Sequence, residues 1–308
     1  MKISAPGSLM LLGEYAVLHG KSSIVAAINK RIYITIEKTD AHTIIESDAY
    51  GKFFLHGNLP PQMVMLRNII SHLIPDLHCH IKIESEFSDK MGFGSSGAII
   101  SALVSALLIF DKKIENFDSD FLIYIFDICS TISSKYVGHL SCSDIAASIY
   151  GSIVHYDMKN YVKKRFFFPD MQFTTVYSGM KKKTLEVMKI VNNYIEIYPD
   201  IYSNIFNLSE SITNEAIIAL EEKNYNSLGR LFNMYQGIME SIGVTSPLLQ
   251  SLTYKLRNDA GIYGSKITGA GMGDCVIGLG QLNKENTGLR YHDICELKIS
   301  KDGVRIES

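Results

Sequence analysis

The residues best placed to do chemistry are Gly92-Phe93-Gly94-Ser95-Ser96-Gly97-Ala98. Glycines let a backbone approach a ligand closely, and serine hydroxyls donate to phosphate or ligate Mg²⁺. The stretch lies between an alternating segment, Ile81 to Phe87, and an apolar run, Ala98 to Phe110. Strand, loop, then buried helix aims backbone N–H groups at an anion. Two familiar phosphate loops are excluded. The spelling fits Gly-x-Gly-x-x-Gly, but a dinucleotide fold needs a second parallel strand ending in an acidic residue about twenty positions later. Residues Asp111 to Asp120 read as a loop instead. No Lys-Ser or Lys-Thr closes the glycines, so a Walker loop fails as well. Taken alone, the stretch is as compatible with a tight turn capping a buried helix as with a phosphate site.

Three further features carry chemistry or its alternatives. Glu14 follows an apolar strand through a Gly13-Glu14 turn, which leaves its carboxylate beside the end of a buried element, either as a site residue or as a turn cap. Asp144 follows the polar loop 138–143 and opens a small-residue helix, where it does chemistry or merely complements the helix dipole. Gly269-Ala270-Gly271-Met272-Gly273 forms a second glycine-rich turn. His78-Cys79-His80 looks like a metal site, yet adjacent strand residues face opposite ways and no second ligand pair follows. Lys181-Lys182-Lys183 reads as a solvated helix end.

The elements that must position these groups follow from pattern. A short strand over 2–4 is expected to stop at Pro6-Gly7, with an apolar strand resuming at Ser8. Strands are predicted at 24–37, 43–46, 52–56 and 81–87, with a helix over 60–74 whose apolar residues recur at helical spacing. Helices follow at 98–110 and 118–136, the latter capped by Asp118 or Ser119, and at 145–151. Strands at 152–156, 163–168 and 173–178 precede helices near 183–197, 200–222, 224–242 and 247–259. Ser246-Pro247 is a favourable start for the last of these. Strands at 265–268, 274–280, 296–299 and 304–307 close the chain. Strands and helices do not alternate strictly, which favours α+β domains over a doubly wound sheet. A composition shift near Asp157–Asn160 marks the expected domain boundary.

The chain has 308 residues, enough for two domains with substantial cores. A hydrophobic fraction of 46% with 20% charged residues suits a globular protein. The net charge of −2 provides no basic field for nucleic acid. Five scattered cysteines without metal spacing read as thiols in a reducing compartment. The N-terminus lacks the apolar core of a secretory leader, and Ala98–Phe110 is too short to span a bilayer. A cytoplasmic setting with no membrane partner is therefore expected.

Three stretches together resemble the three motifs of the GHMP small-molecule kinases: Ala5 to Gly20, Gly92 to Ala98, and Thr268 to Cys275. Their order and spacing cover nearly the whole chain. The resemblance implies an α+β, two-domain GHMP kinase fold. Residues 1–158 would form a ribosomal protein S5-like ATP-binding domain and 159–308 a ferredoxin-like C-terminal domain, with ATP between them. Within the family the mevalonate kinases are most similar, through Gly13 to Val17, Asn233 to Thr245 and Ser265 to Gly271. Ser143 to Gly151 and Gly273-Asp274-Cys275 are more similar to the phosphomevalonate kinases. The implied reaction is ATP-dependent phosphorylation of mevalonate. Phosphomevalonate is the alternative acceptor, and a nucleotide or metabolite binder with little catalysis is a third reading. A homodimer is implied as well.

Residue by residue, the resemblance implies that Gly92, Phe93, Gly94, Ser95, Ser96 and Gly97 cradle the ATP phosphates; Asp89-Lys90-Met91 replaces the family's proline and glycines before this loop, and Lys90 could meet a phosphate from that side. Ser96 would ligate Mg²⁺, and Asp144 would accept or orient the proton of the attacking hydroxyl. Glu14, Tyr15, His19 and Thr184, with Gly269, Ala270 and Gly271, would hold the acceptor. Two positions depart from the mevalonate kinase pattern. Ser8 stands where the family carries a lysine beside the aspartate, and Lys21, Lys181 or Lys266 could replace that cation only if the fold brings one close. Ser133 stands where the family carries a metal-binding glutamate. A lysine or arginine within reach of Asp144 would favour an enzyme, and empty space there would favour a binder.

Overall fold

The computed structural model describes residues 1–112, 117–138, 141–283 and 294–307. The elements in chain order are β1 (Lys2–Leu12), β2 (Ser23–Lys38), β3 (Ile44–Ser47), β4 (Gly51–Phe54), α1 (Pro61–Leu73), β5 (Cys79–Ser85), α2 (Ser95–Lys112), α3 (Ser119–Tyr136), α4 (Ser143–Tyr150), β6 (Ile153–Asp157) and β7 (Tyr161–Phe166). They continue with β8 (Gln172–Tyr177), α5 (Thr184–Ile197), α6 (Pro199–Glu221), α7 (Tyr225–Ile242), α8 (Pro247–Arg257), β9 (Ile262–Ile267), β10 (Cys275–Gly280), β11 (Ile294–Lys298) and β12 (Arg305–Glu307).

Two sheets result. The larger has the order β12-β1-β2-β5-β3-β4, with β6 on the other part of long β2 and β7 on β6. The smaller is antiparallel, in the order β11-β8-β10-β9. The chain thus builds the first sheet, then the second, and returns to the first through β12, which pairs with β1.

β1 differs from the expectation that Pro6-Gly7 would stop it. The strand runs on to Leu12, with a register shift between Pro6 and Ser8. A bulge absorbs the proline, whose missing N–H a regular ladder would require. It also brings Ser8 to the serine loop, where its N–H donates to the Phe93 carbonyl at 2.9 Å. The loop is therefore held from below by the first strand.

Helix α2 is apolar on all sides because it is enclosed on all sides. Ala98, Ala102, Leu103, Val104, Ala106 and Leu107 are all buried, and the helix packs on β1, β2, α3 and α4. The expected caps form: Asp118 accepts from the Phe121 N–H at 2.8 Å, and Ser246 accepts from the Leu249 N–H at 3.3 Å. Helix α4 is fixed at several points. Ser148 Oγ donates to the Pro6 carbonyl at 2.8 Å, and the Tyr156 hydroxyl donates to the Ser141 carbonyl at 2.6 Å. At its far end the Ile149 carbonyl accepts from the Val304 N–H at 3.2 Å. The segment around Val304 is itself tied to β2, where the buried Arg31 guanidinium donates to the carbonyls of Asp302 and Gly303. The first turn of α4, which carries Asp144, is thereby set against the start of α2.

All five cysteines are free thiols. Around the rejected metal site, Cys79 is buried while His78 is exposed and His80 hydrogen-bonds Glu46, as alternation on a strand requires. Among the described residues no helix is long and apolar enough to cross a membrane.

Candidate active site

A cleft of about 530 Å³ is lined by β1, the serine loop, the starts of α2, α4 and α5, and the turn that joins β9 to β10. One wall is the serine loop. Gly92 and Gly94 have left-handed backbones, with φ of 68° and 63°, and turn the chain into the first turn of α2 at Ser95 and Ser96. Gly94 needs its missing side chain, since a β-carbon there would stand 2.1 Å from Ser8 Oγ. The first N–H groups of a helix have no partner within it and carry its positive end, so this wall favours an anion. Phe93 points away into the core, beside Phe87.

Asp144 lines the same cleft from the first turn of α4. Its carboxylate accepts from the Ile145 N–H at 2.9 Å and lies against the backbone of Gly97, whose N–H lowers its pKa. It therefore stands between the starts of two helices. Burial pushes its pKa above the ordinary aspartate value, and those N–H groups pull it back down. Among the described residues no cation contributes to that balance.

The third wall joins the first motif to the glycine-rich turn. The Tyr15 hydroxyl donates to the Ala270 carbonyl at 2.5 Å, and Thr268 Oγ1 donates to the Met10 carbonyl at 2.8 Å. Tyr15 has φ of 61°, a conformation that costs energy for a bulky residue and is held here by these contacts. Below it lies an ion pair between Glu14 and Lys266, with the lysine wholly buried. Burial raises the pKa of Glu14 and lowers that of Lys266, and each charge opposes the other's shift. Glu14 lines the cleft floor, and its Oε2 is buried without a hydrogen-bond partner.

The cleft thus gathers most of the expected residues: Gly92, Gly94, Ser95 and Ser96, Asp144, Glu14 and Tyr15, Thr184 at the start of α5, and Gly269 with Ala270. Others lie elsewhere. Gly97 touches Asp144 from behind, and Gly271 packs against Val244. His19 stacks on Phe206, with ring centroids 4.3 Å apart, and does not line the cleft. The side chain of Lys90 lies outside the described residues. The stand-in cations are spoken for: Lys266 by Glu14, and Lys21 by Asn207 at 2.6 Å. Lys181 lines the cleft and donates to the Asp89 carbonyl. Ser133 is buried, hydrogen-bonds the Cys142 thiol and stays out of the cleft.

Three charged cleft residues were not anticipated in the site: Asp89, Lys183 and Asp274. Lys183 sits at the rim in what reads as a solvated basic run. Asp274 follows the glycine-rich turn, buried and with a left-handed backbone. The signal for Asp274 was its place: an acidic residue ending a glycine run at the start of a buried strand.

The family description "GHMP kinases N terminal domain" matches residues 63–152, and "GHMP kinases C terminal" matches residues 216–290. A mevalonate kinase from Methanothermobacter thermautotrophicus is 32% identical over 283 residues, covering 89% of this chain and 88% of the relative. One from Archaeoglobus fulgidus is 29% identical over 308 residues, covering both chains completely. The crystal structure of the Methanococcus jannaschii mevalonate kinase superposes with a TM-score of 0.79 at 23% identity, covering 97% of this chain and 98% of that one. The Streptococcus pneumoniae phosphomevalonate kinase in complex with phosphomevalonate and AMPPNP gives 0.76 at 19% identity, covering 91% and 92%. With both family halves matched in order and full-length relatives at this identity, the chain belongs to the GHMP kinase family of small-molecule kinases.

Proposed function

We propose that this chain catalyses the ATP-dependent phosphorylation of mevalonate to 5-phosphomevalonate. The observation that carries the reading is the meeting of Asp144 with the serine loop, in one cleft with Glu14 and the Gly269–Ala270 turn. Its relatives named mevalonate kinase cover 89% to 100% of the chain, which weighs the acceptor toward mevalonate.

Gly92 to Ser96 and the start of α2 receive the ATP phosphates. From α4, Asp144 accepts a hydrogen bond from the acceptor hydroxyl and orients it toward the γ-phosphorus. The oxygen–phosphorus bond forms as the bond to the β-phosphate oxygen breaks; the hydroxyl proton passes to Asp144, and ADP leaves with the electron pair. A raised pKa suits Asp144 to hold that proton. Phosphoryl transfer asks mainly for positioning and charge neutralisation, and two helix starts supply part of the latter. Glu14, fixed by Lys266, holds the acceptor through its unpartnered Oε2, with Tyr15 and Ala270 beside it. Thr184 at the start of α5 and Lys183 next to it face an acidic group of the acceptor.

The hydroxyl of Ser96, a hard oxygen donor on the cleft, fits a Mg²⁺ ion that arrives with the nucleotide. Bound there, the ion would neutralise charge on the transferring phosphoryl group. We assign residues 1–158 to the N-terminal ATP-binding domain and 159–308 to the C-terminal domain, with β7 and β12 returning to the first sheet.

Coupled release of ADP, measured with mevalonate and with phosphomevalonate, tests the reading. Turnover on mevalonate supports it. Turnover on phosphomevalonate alone moves the assignment to that acceptor. Nucleotide binding without turnover on either leaves a binder, the reading that Ser8 and Ser133 motivate.

A further inference from the structure

Asp274 has no role in the chemistry above, yet its surroundings are unusual. It precedes β10 with φ of 60°, a left-handed conformation that costs energy for a residue with a β-carbon. Its relative exposure is 9%, and its Oδ1 is buried without a hydrogen-bond partner. Burying an unsatisfied carboxylate oxygen is costly, and strain of this kind collects at sites that use it. The backbone around it is firmly held. Its N–H donates to the Met180 carbonyl at 2.8 Å, its carbonyl accepts from the Ser178 N–H at 2.9 Å, and the neighbouring Cys275 thiol donates to the Met91 carbonyl at 2.9 Å.

These ties press Asp274 against the phosphate cradle. A β-carbon on Gly92 would stand 3.2 Å from its Cβ and 3.4 Å from its Cγ. Asp274 lines one cleft with Ser95, Ser96 and Asp144. A carboxylate beside a phosphate cradle repels the anion it serves unless a cation stands between them. Lys181 is the nearby cation, but its amine donates to the Asp89 carbonyl. The other carboxylates lining the cleft are partnered: Glu14 with Lys266, Asp144 with the Ile145 N–H, and Asp89 with the Tyr50 and Ser88 hydroxyls; Ser133 replaces the family's glutamate away from the cleft. Among the described residues no group of three or more His, Cys, Asp or Glu side chains could hold a metal by itself. A divalent cation here is therefore shared between phosphate oxygens and one or two protein oxygens, the usual mode for Mg²⁺ with a nucleotide.

We propose that Asp274 is the carboxylate that completes the divalent-cation site of this kinase, with the Ser96 hydroxyl and the nucleotide phosphates as the other donors. The proposal rests on the nucleotide reading of the cleft. It makes the end of the glycine-rich turn part of cation binding and relocates the carboxylate missing at Ser133.

The test is Mn²⁺ binding to the full chain with a non-hydrolysable ATP analogue, followed by electron paramagnetic resonance of the free ion. The variants are Asp274→Asn and Asp274→Gly, and glycine suits the left-handed backbone even if the Asn variant folds poorly. Both are expected to bind Mn²⁺ at least tenfold more weakly in the presence of the analogue, while the metal-free analogue binds as well as to the unaltered chain or more tightly. Mn²⁺ affinity within twofold of the unaltered chain in the folded variants overturns the proposal, and leaves Asp274 as a counter-charge to Lys181. No binding of the analogue to the unaltered chain overturns the nucleotide reading and this proposal together.

Discussion

Gly97 packs directly against the carboxylate of Asp144, so close that a β-carbon on Gly97 would stand 2.6 Å from Oδ2. The glycine closing the phosphate loop is thus also the floor beneath the proposed catalytic carboxylate. Any side chain there must push Asp144 aside.

Gly97→Ala is accordingly expected to lower turnover about a hundredfold, the order of loss that a displacement near 1 Å produces. Nucleotide affinity should change far less, because Gly92 to Ser96 are untouched. Steady-state kinetics beside calorimetric titration of an ATP analogue measure both. Unchanged turnover would show that the contact does not position Asp144.

Asp144→Asn is expected to lose about 10²–10⁴-fold in turnover while still binding nucleotide. It should also gain thermal stability near neutral pH. Burial raises the pKa of Asp144 in the folded chain above its unfolded value. Above that raised pKa the folded chain therefore holds an ion it would rather see protonated, and the charge costs stability. The same shift puts the acid limb of turnover above the ordinary aspartate value of 3.8, with activity falling as the proton is taken up. Thermal melts at several pH values and a pH–rate profile check the two signs. A variant no more stable than the parent at pH 7 would contradict the direction of the shift.

The Glu14–Lys266 pair makes a third case. Lys266→Met leaves a buried carboxylate without its counter-charge and is expected to cost roughly 3–5 kcal/mol in stability. Adding Glu14→Gln should return much of that stability but not activity, because Glu14 Oε2 is assigned to the acceptor. Denaturant unfolding and an activity assay on the double variant separate the two effects. Recovery of activity with stability would reduce the pair to a structural tie.

Much of this was legible in the sequence because it is local. Asp118 and Ser246-Pro247 announce their helices through short-range hydrogen bonding and a preset proline backbone. The serine loop, the aspartate opening α4 and the glycine-rich turn are all read within a few residues. What was hidden depends on distance. Glu14 and Lys266 lie 252 positions apart, so their pairing appears only when β9 comes beneath the first motif. Pro6 signals a strand end in isolation, but the neighbouring β2 accommodates it as a bulge. His19 shares the first motif with Glu14, yet the short helical turn after Tyr15 carries it outward onto Phe206. The role of Asp274 needs the contact with Gly92, which joins the two ends of the chain's chemistry.

The central claim is that one cleft transfers phosphate from ATP to the hydroxyl of mevalonate. It is tested most directly by ³¹P NMR of a single reaction holding ATP with equal amounts of mevalonate and phosphomevalonate. A growing phosphomonoester signal with stoichiometric ADP, and no new diphosphate pair beyond that of ADP, is the predicted result. A new isoprenoid diphosphate pair, or an unchanged spectrum with a folded and nucleotide-bound protein, would contradict it.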